Sequence, residues 1–240
     1  MALTGALLVA LLGAAVARES PKACGLLAPP DAKPIIEVAA KRARAPLAVY
    51  PLGFSRKGRL AWLESRLGFD SDQYNWLLYV VDLSTDRQLV EREFLMKSAS
   101  VQALCARHEA TIARVLDKME IERGPALPLE QPDAARDPSA VDLVAGRRDR
   151  EAHKTPYRVM LRGKDGVKQL GVLWKVDVDS GEPPVGPPKL AGILRSPFEA
   201  RVAVVVTQQM VATEGAEISL VKVLGGRLDR GWRHTGQDDP

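Results

Sequence analysis

Short apolar runs separated by turn residues constrain the fold of this chain more than any other feature. The strongest run lies at residues 76–83, where aromatic and aliphatic side chains precede a polar turn at residues 84–86. Residues 47–54 and 59–64 repeat the pattern on either side of a turn that contains Gly58. Runs of this length and composition, bounded by turns, are typical of strands. The sequence therefore predicts an antiparallel β-meander.

A helical period follows the meander. Apolar residues recur at three- and four-residue spacing over residues 99–121, with Ser98 and Ser100 where an N-cap is expected. An amphipathic helix with this pattern would lay its apolar stripe on one face of the sheet. His108 falls inside the stripe, so we interpret it as a core residue and not as a catalytic one.

Strand patterns return over residues 154–232. Alternation predicts a strand whose buried face carries Leu170, Val172, Trp174, Val176 and Val178. The apolar run at residues 201–208 predicts a central strand, and Gly225-Gly226 predicts a two-residue hairpin between residues 218–224 and 227–232.

The remaining segments predict connections. Residues 18–46 are an expected extended lead-in with a short helix near residues 35–44, and residues 233–240 an expected polar tail. Residues 123–153 contain four prolines and many charges, which indicates a loop or linker between residues 47–122 and the second β-rich half.

The predicted fold class is α+β, mostly β, with antiparallel meander sheets and one packed amphipathic helix. Residues 54–62 and 195–204 form a weak repeat, a serine-led turn followed by an arginine and apolar residues. This unit resembles the strands of a β-propeller blade. A closed propeller needs at least four blades, and only two such units occur, so an open-sheet arrangement fits better.

Residues 1–17 carry no charge, hold an apolar run and end in Ala15-Val16-Ala17, the small-x-small pattern of a signal-peptidase site. The run is too short to span a bilayer, which needs about 20 apolar residues. We interpret it as an export signal; the alternative is an apolar helix packed on the domain. The expected location is secreted or periplasmic, with no membrane span after signal removal.

Composition excludes one class of partner. The chain has 34 basic and 30 acidic residues, a net charge of only +4, so nucleic-acid binding is not expected. The expected partner is an envelope protein or ligand. Cys24 and Cys105 would pair in an oxidising compartment; the alternative is a free thiol at Cys24 and a buried hydrophobe at Cys105.

No catalytic signature occurs in the sequence: there is no nucleophile elbow, zinc-ligand spacing or phosphate-binding glycine loop. A carboxylate pair for acid–base chemistry would have to come from dispersed residues such as Glu64, Asp82 and Glu214.

One loop carries oxygen ligands at alternating positions, which suit calcium as a cofactor. The loop departs from the calcium-binding EF-hand pattern, so a solvated acidic turn is the preferred interpretation. The candidate metal or ligand residues are Asp70, Asp72 and Asn75.

Several short blocks resemble a bacterial family of predicted secreted proteins of unknown function. The resemblance spans residues 47–226 and implies an exported protein without assigning an activity. It rests on Gly53-Phe54-Ser55, Gly58-Arg59, Ala61, Glu64, Tyr74, Val80, Asp82, Arg201-Val202-Ala203-Val204 and Glu214-Gly215.

These patterns together predict an exported β-rich protein that acts as a non-catalytic binding or structural module of the cell envelope. The alternative is a secreted hydrolase whose site is built from dispersed carboxylates. The absence of catalytic motifs favours the first function, and the sequence leaves the question of enzyme activity open.

Overall fold

The computed structural model describes residues 24–27, 33–39, 46–68, 73–123, 127–131, 140–164, 166–212 and 215–232. Within these ranges the chain forms strands and one α-helix, named in chain order. The elements are β1 (Ile36–Val38), β2 (Leu47–Phe54), β3 (Arg59–Leu67), β4 (Tyr74–Asp82), β5 (Arg87–Met96), α1 (Val101–Lys118), β6 (Ala140–Ala145), β7 (Lys154–Gly163), β8 (Gly166–Val176), β9 (Lys189–Arg195), β10 (Arg201–Val211) and β11 (Glu217–Arg227).

The strands form three antiparallel sheets, each a meander. The first has the order β1-β2-β3-β4-β5, the second β11-β10-β9 and the third β6-β7-β8. Neighbours in sequence are therefore neighbours in each sheet, which short turns make possible.

The sheets and the helix stack in four layers. The apolar side of α1, including Leu104, Ile112 and Leu116, packs with Trp76 and Leu78 on the outer face of the first sheet. The inner face of that sheet packs on the second sheet, whose opposite face packs on the third. The two β-rich halves of the chain thus share a core.

Strand β10 lies at the centre of the stack. Ala203 and Val205 face the first sheet, whereas Val202, Val204 and Val206 face the third. A strand covered on both faces needs apolar residues at consecutive positions, which is the pattern that predicted a central strand here.

The predicted fold class is confirmed: the structure is mostly β, with antiparallel meanders and a helix packed on one of them. The repeat corresponds to two similar turns that differ in length by one residue: the N–H groups of Ser55 and Ser196 donate to the carbonyl oxygens of Arg59 and Arg201 at 2.9 Å. Propeller-like units have no support, because none of the sheets in the described ranges closes on itself.

The hairpin predicted at Gly225-Gly226 is wrong. Both glycines lie inside β11, which pairs with β10 without interruption from Glu217 to Arg227. Glycine is required at position 225 because a Cβ there would lie 2.0 Å from the carbonyl oxygen of Leu83. The glycine serves a close backbone approach between two sheets instead of a turn.

The predicted buried face of β8 is confirmed at Val176, which is 8% exposed, but is wrong at Val172 and Trp174. The β7–β8 register shifts between Val159 and Met160, so residues beyond the shift change faces. Leu173 is buried, whereas Val172 and Trp174 are 39% and 48% exposed.

Two connecting segments contain strands. The helix expected near residues 35–44 is wrong at its start, since Ile36–Val38 pairs with β2 as a strand, and residues 40–45 lie outside the described ranges. Strand β6 lies within the predicted linker at residues 123–153 and pairs with β7. Valine and leucine within β6 provide the apolar side chains that reach the third-sheet core.

The expected signal (residues 1–17) and the expected tail (residues 233–240) lie outside the described ranges. Among the residues that the structure describes, no helix has the length and apolar character needed to cross a membrane.

Candidate binding groove

A groove opens between the first and second sheets, where the inner face of β3, β4 and β5 extends past the edge strand β11. We call it the inter-sheet groove. It consists of two cavities of about 370 and 220 Å³, and Arg66 and Leu220 line both of them. The larger cavity contains most of the charged side chains that the two sheets bring together.

Glu64 is the most deeply buried charged residue of the groove, at 1% exposure. Positions 62, 64 and 66 alternate along β3, so their side chains share the inner face. Oε1 of Glu64 accepts a hydrogen bond of 2.9 Å from Trp62 Nε1, and Oε2 accepts from Nε (3.0 Å) and Nη2 of Arg66. A carboxylate removed from water needs such partners, and in return it fixes the Arg66 guanidinium at the groove wall.

Tyr79 lies opposite Trp62 in the β3–β4 ladder, and the two rings stack with centroids 5.2 Å apart. Burial, together with the negative charge of Glu64, raises the pKa of Tyr79 to about 12. The phenol is therefore protonated at neutral pH and offers the groove a hydroxyl that can donate and accept hydrogen bonds.

Asp86 closes one end of the groove. It lies in the β4–β5 turn at φ 52°, and its Oδ1 accepts a hydrogen bond of 2.7 Å from the Gly225 N–H. Desolvation and the nearby carboxylate of Asp82 raise the pKa of Asp86 despite this hydrogen bond. The contact joins the first sheet to β11 where their backbones come closest.

The candidate acid–base carboxylates are not brought together. Glu64 pairs with Leu77 and Asp82 pairs with Arg59, so the register places the two carboxylates on opposite faces of the first sheet. Burial would raise the pKa of Asp82, but hydrogen bonds from Ser84 and nearby guanidinium groups hold it below its ordinary value. Glu214 lies outside the described ranges.

The candidate calcium loop is described only in part. Asp70 and Asp72 lie outside the described ranges, and Asn75 lies in β4, where it lines the smaller cavity of the groove. In the part of the chain that the structure describes, no cluster of three or more histidine, cysteine or acidic side chains could hold a metal ion. The calcium site stays a prediction.

Cys24 and Cys105 form a disulfide with Cα atoms 5.6 Å apart. It anchors residues 24–27 to α1, where the Gly25 N–H also donates to Glu109 Oε1 at 2.9 Å. His108 contacts the ring of Phe94 at a centroid distance of 4.9 Å. These residues lie on the outer side of the first sheet, away from the groove.

A second cavity, of about 550 Å³, lies at the end of β8. Its central carboxylate, Asp177, already binds Arg148 at 2.9 Å and Lys175 at 2.7 Å. Hydrogen bonding to Lys175, together with Arg148, lowers the pKa of Asp177. We favour the inter-sheet groove because it contains Glu64, a carboxylate that is only 1% exposed, and because it lies along the edge of a strand.

Sequence reasoning singled out Glu64 but not Arg66, Tyr79 or Lys222, which line the same groove. A usable signal was present: Glu64 and Arg66 are charged residues at alternate positions at the end of an apolar strand. In comparisons with protein-family models, curated proteins and solved structures, no match to the chain was found.

Proposed function

We propose that the protein is a non-catalytic, exported binding module of the cell envelope and that the inter-sheet groove holds its ligand. The observation that carries the proposal is the hydrogen bonding of the Glu64 carboxylate. Both of its carboxylate oxygens accept hydrogen bonds from neighbouring side chains, so it orders the groove wall and is engaged as a charge partner. A general acid or base needs a proton-accepting position that faces the substrate.

The residues that line the groove indicate a polar ligand that also has apolar surface. Arg66 and Lys222 provide cationic donors, and Glu91 provides a carboxylate. Leu220 and Val221 of β11 form an apolar wall beside them. Few polar groups on an apolar wall are typical of sites that orient a ligand and bury part of its surface.

Two features support export. Residues 1–17 have the pattern of a signal peptide, and the Cys24–Cys105 disulfide is typical of proteins that fold in an oxidising compartment. The hydrolase alternative gains no support from the described residues, because Glu64 and Asp82 lie on opposite faces of one sheet.

Thermal unfolding in the presence of fractionated envelope extract tests the proposal. We expect one fraction to raise the Tm of the wild-type protein, since a ligand that binds only the folded state stabilises it. The Glu91→Lys variant should lose this response, whereas Glu151→Lys should keep it. Glu151 is an exposed glutamate outside the groove, so the control makes the same change of charge.

The proposal is refuted if no fraction raises the Tm, or if both variants respond like the wild type. Hydrolysis of a broad substrate panel that Glu64→Gln abolishes, with the fold retained, would instead support the enzyme.

A further inference from the structure

The edge of β11 is unpaired along the groove. Strand β11 is the outer strand of its sheet, and no other strand of the described residues pairs with its free side. In an antiparallel pair, residues alternate between bonding the partner strand and directing both backbone groups outward. The Gly225 N–H donates to Asp86 of the first sheet, so Gly225 is one of the residues whose backbone groups point away from β10.

Ser219, Val221 and Val223 have the same parity as Gly225 and therefore direct their N–H and C=O groups toward the free side of β11. Val221 and Val223 line the larger cavity of the inter-sheet groove, and Ser219 lines the smaller. These backbone groups recur every second residue, about 7 Å apart, which matches the spacing of another strand.

The edge strand of the neighbouring sheet is different. Strand β5 carries Arg87, Glu91, Arg92 and Glu93, and most of its residues are exposed. Charged side chains along an edge disfavour pairing with other strands. Residues 219–223 of β11 include a single charged residue, Lys222, so this edge lacks that protection.

The inner face of β5 adds a preference for charge. Glu91 lies opposite Tyr79 and Glu93 lies opposite Leu77. Both carboxylates therefore project from the inner face of the first sheet, toward the groove. Glu64 is already neutralised by Arg66. Glu91 and Glu93 outnumber Lys222, the other cation that lines the larger cavity, so the groove keeps an excess of negative charge. The two carboxylates lie two residues apart, the same period at which an extended peptide presents side chains to one face.

We propose that an extended peptide segment of a partner protein adds to the edge of β11 as a further strand, with basic side chains at alternate positions facing Glu91 and Glu93. This inference rests on the proposed binding function and names its ligand class. Main-chain hydrogen bonds to residues 219–223 supply the affinity, and the carboxylates select the side chains. Asp86 sets the end of the pairing, because it already occupies the N–H of Gly225.

The test uses a blocked seven-residue peptide that alternates lysine and valine, added to the full protein with its disulfide intact. Amide hydrogen exchange is followed by NMR. We expect exchange at Ser219, Val221 and Val223 to slow at least tenfold at saturation. Exchange at Gly225 should not change, because its N–H already has an acceptor.

Two matched peptides separate strand addition from side-chain binding. N-methylation of the alternate amides that face β11 should abolish binding, and N-methylation of the intervening amides should leave it intact. These peptides alter no residue of the protein, so misfolding cannot produce the result. A Val221→Pro variant, which removes an outward donor that β10 does not use, should also fail to bind.

Glu91→Gln combined with Glu93→Gln should weaken binding of the lysine peptide at least tenfold but not that of a peptide with serine in place of lysine. The inference is overturned if no peptide slows exchange at millimolar concentration, or if both methylated peptides bind equally.

A concentration-dependent dimer that Val221→Pro abolishes would assign the edge to a second copy of the chain and also overturn the inference. The proposed function has a separate outcome. If the peptides fail but an extract fraction still raises the Tm in a Glu91-dependent manner, the groove binds a ligand that is not a strand.

Discussion

Substitution of Gly225 by alanine tests the close contact between the first and second sheets. A Cβ at this position would lie 2.0 Å from the carbonyl oxygen and 2.6 Å from the carbonyl carbon of Leu83. Both atoms belong to the backbone, so no side-chain rotation can relieve the contact. The strand β11 must move away from the β4–β5 turn, and the hydrogen bond from Gly225 to Asp86 is then lost.

The expected cost combines two effects. Steric overpacking of a filled site costs about 1–3 kcal/mol, and loss of a hydrogen bond to a charged acceptor costs about 1.5–3 kcal/mol. We therefore expect Gly225→Ala to lower the free energy of unfolding by about 3–5 kcal/mol. In a chain of this size the Tm should fall by about 10 °C.

The neighbouring residue provides a matched control. A Cβ at Gly226 would meet the ends of the Leu170 and Leu161 side chains at 3.0 and 3.3 Å, and these can rotate. Both substitutions reduce the entropy of the unfolded chain equally, so that effect cancels. Gly226→Ala should cost about 1 kcal/mol or less.

Urea denaturation followed by tryptophan fluorescence measures both variants. Equal losses of stability for Gly225→Ala and Gly226→Ala would refute the reasoning, as would a loss below about 1 kcal/mol for the first. Either result would mean that the contact with Leu83 is more open than the structure indicates.

Three further predictions concern the disulfide and the groove. Replacement of both Cys24 and Cys105 by alanine should lower the free energy of unfolding by about 4 kcal/mol, from loop-closure entropy over their separation of 81 residues, as measured by urea denaturation. Glu64→Gln should lower the pKa of Tyr79 from its value of about 12, measured by NMR of the tyrosine ring carbons; an unchanged pKa would contradict the proximity of the two groups. The raised pKa of Asp86 means that folding favours its protonated form, so its contribution to stability is complete below the unfolded pKa and is lost as the pH rises through the folded pKa. Asp86→Asn retains an acceptor for the glycine N–H, and its stability relative to wild type should be greater at pH 7 than at pH 3; a pH-independent difference would contradict this linkage.

Local patterns predicted much of the fold because each required only neighbouring residues. The turn at Gly58 and the apolar run at residues 201–208 indicate a reversal and a doubly covered strand whatever lies beside them. Trp174 was assigned to the wrong face because a single register shift reverses the alternation. Such a shift depends on the partner strand, which the sequence of β8 alone does not specify.

The groove depends on contacts between distant parts of the chain. Glu64 was recognisable as a polar residue in an apolar strand, but its position in a groove shared with Lys222 of β11 follows only from the stacking of two sheets. Gly225-Gly226 has the composition of a hairpin turn, and a close approach to Leu83 requires glycine for a different reason. Both contacts join residues that are far apart in the sequence, so local patterns do not predict them.

The central position of β10 has a consequence for the order of folding. The first sheet ends at Met96, but the strands that cover its inner face begin at Lys189. During synthesis from the N-terminus, Leu60, Trp62 and the rest of that face remain without their apolar cover until the chain extends past β11. The first meander therefore presents an uncovered apolar surface to aggregation or to chaperones for most of synthesis, and truncation before residue 189 would make that state permanent.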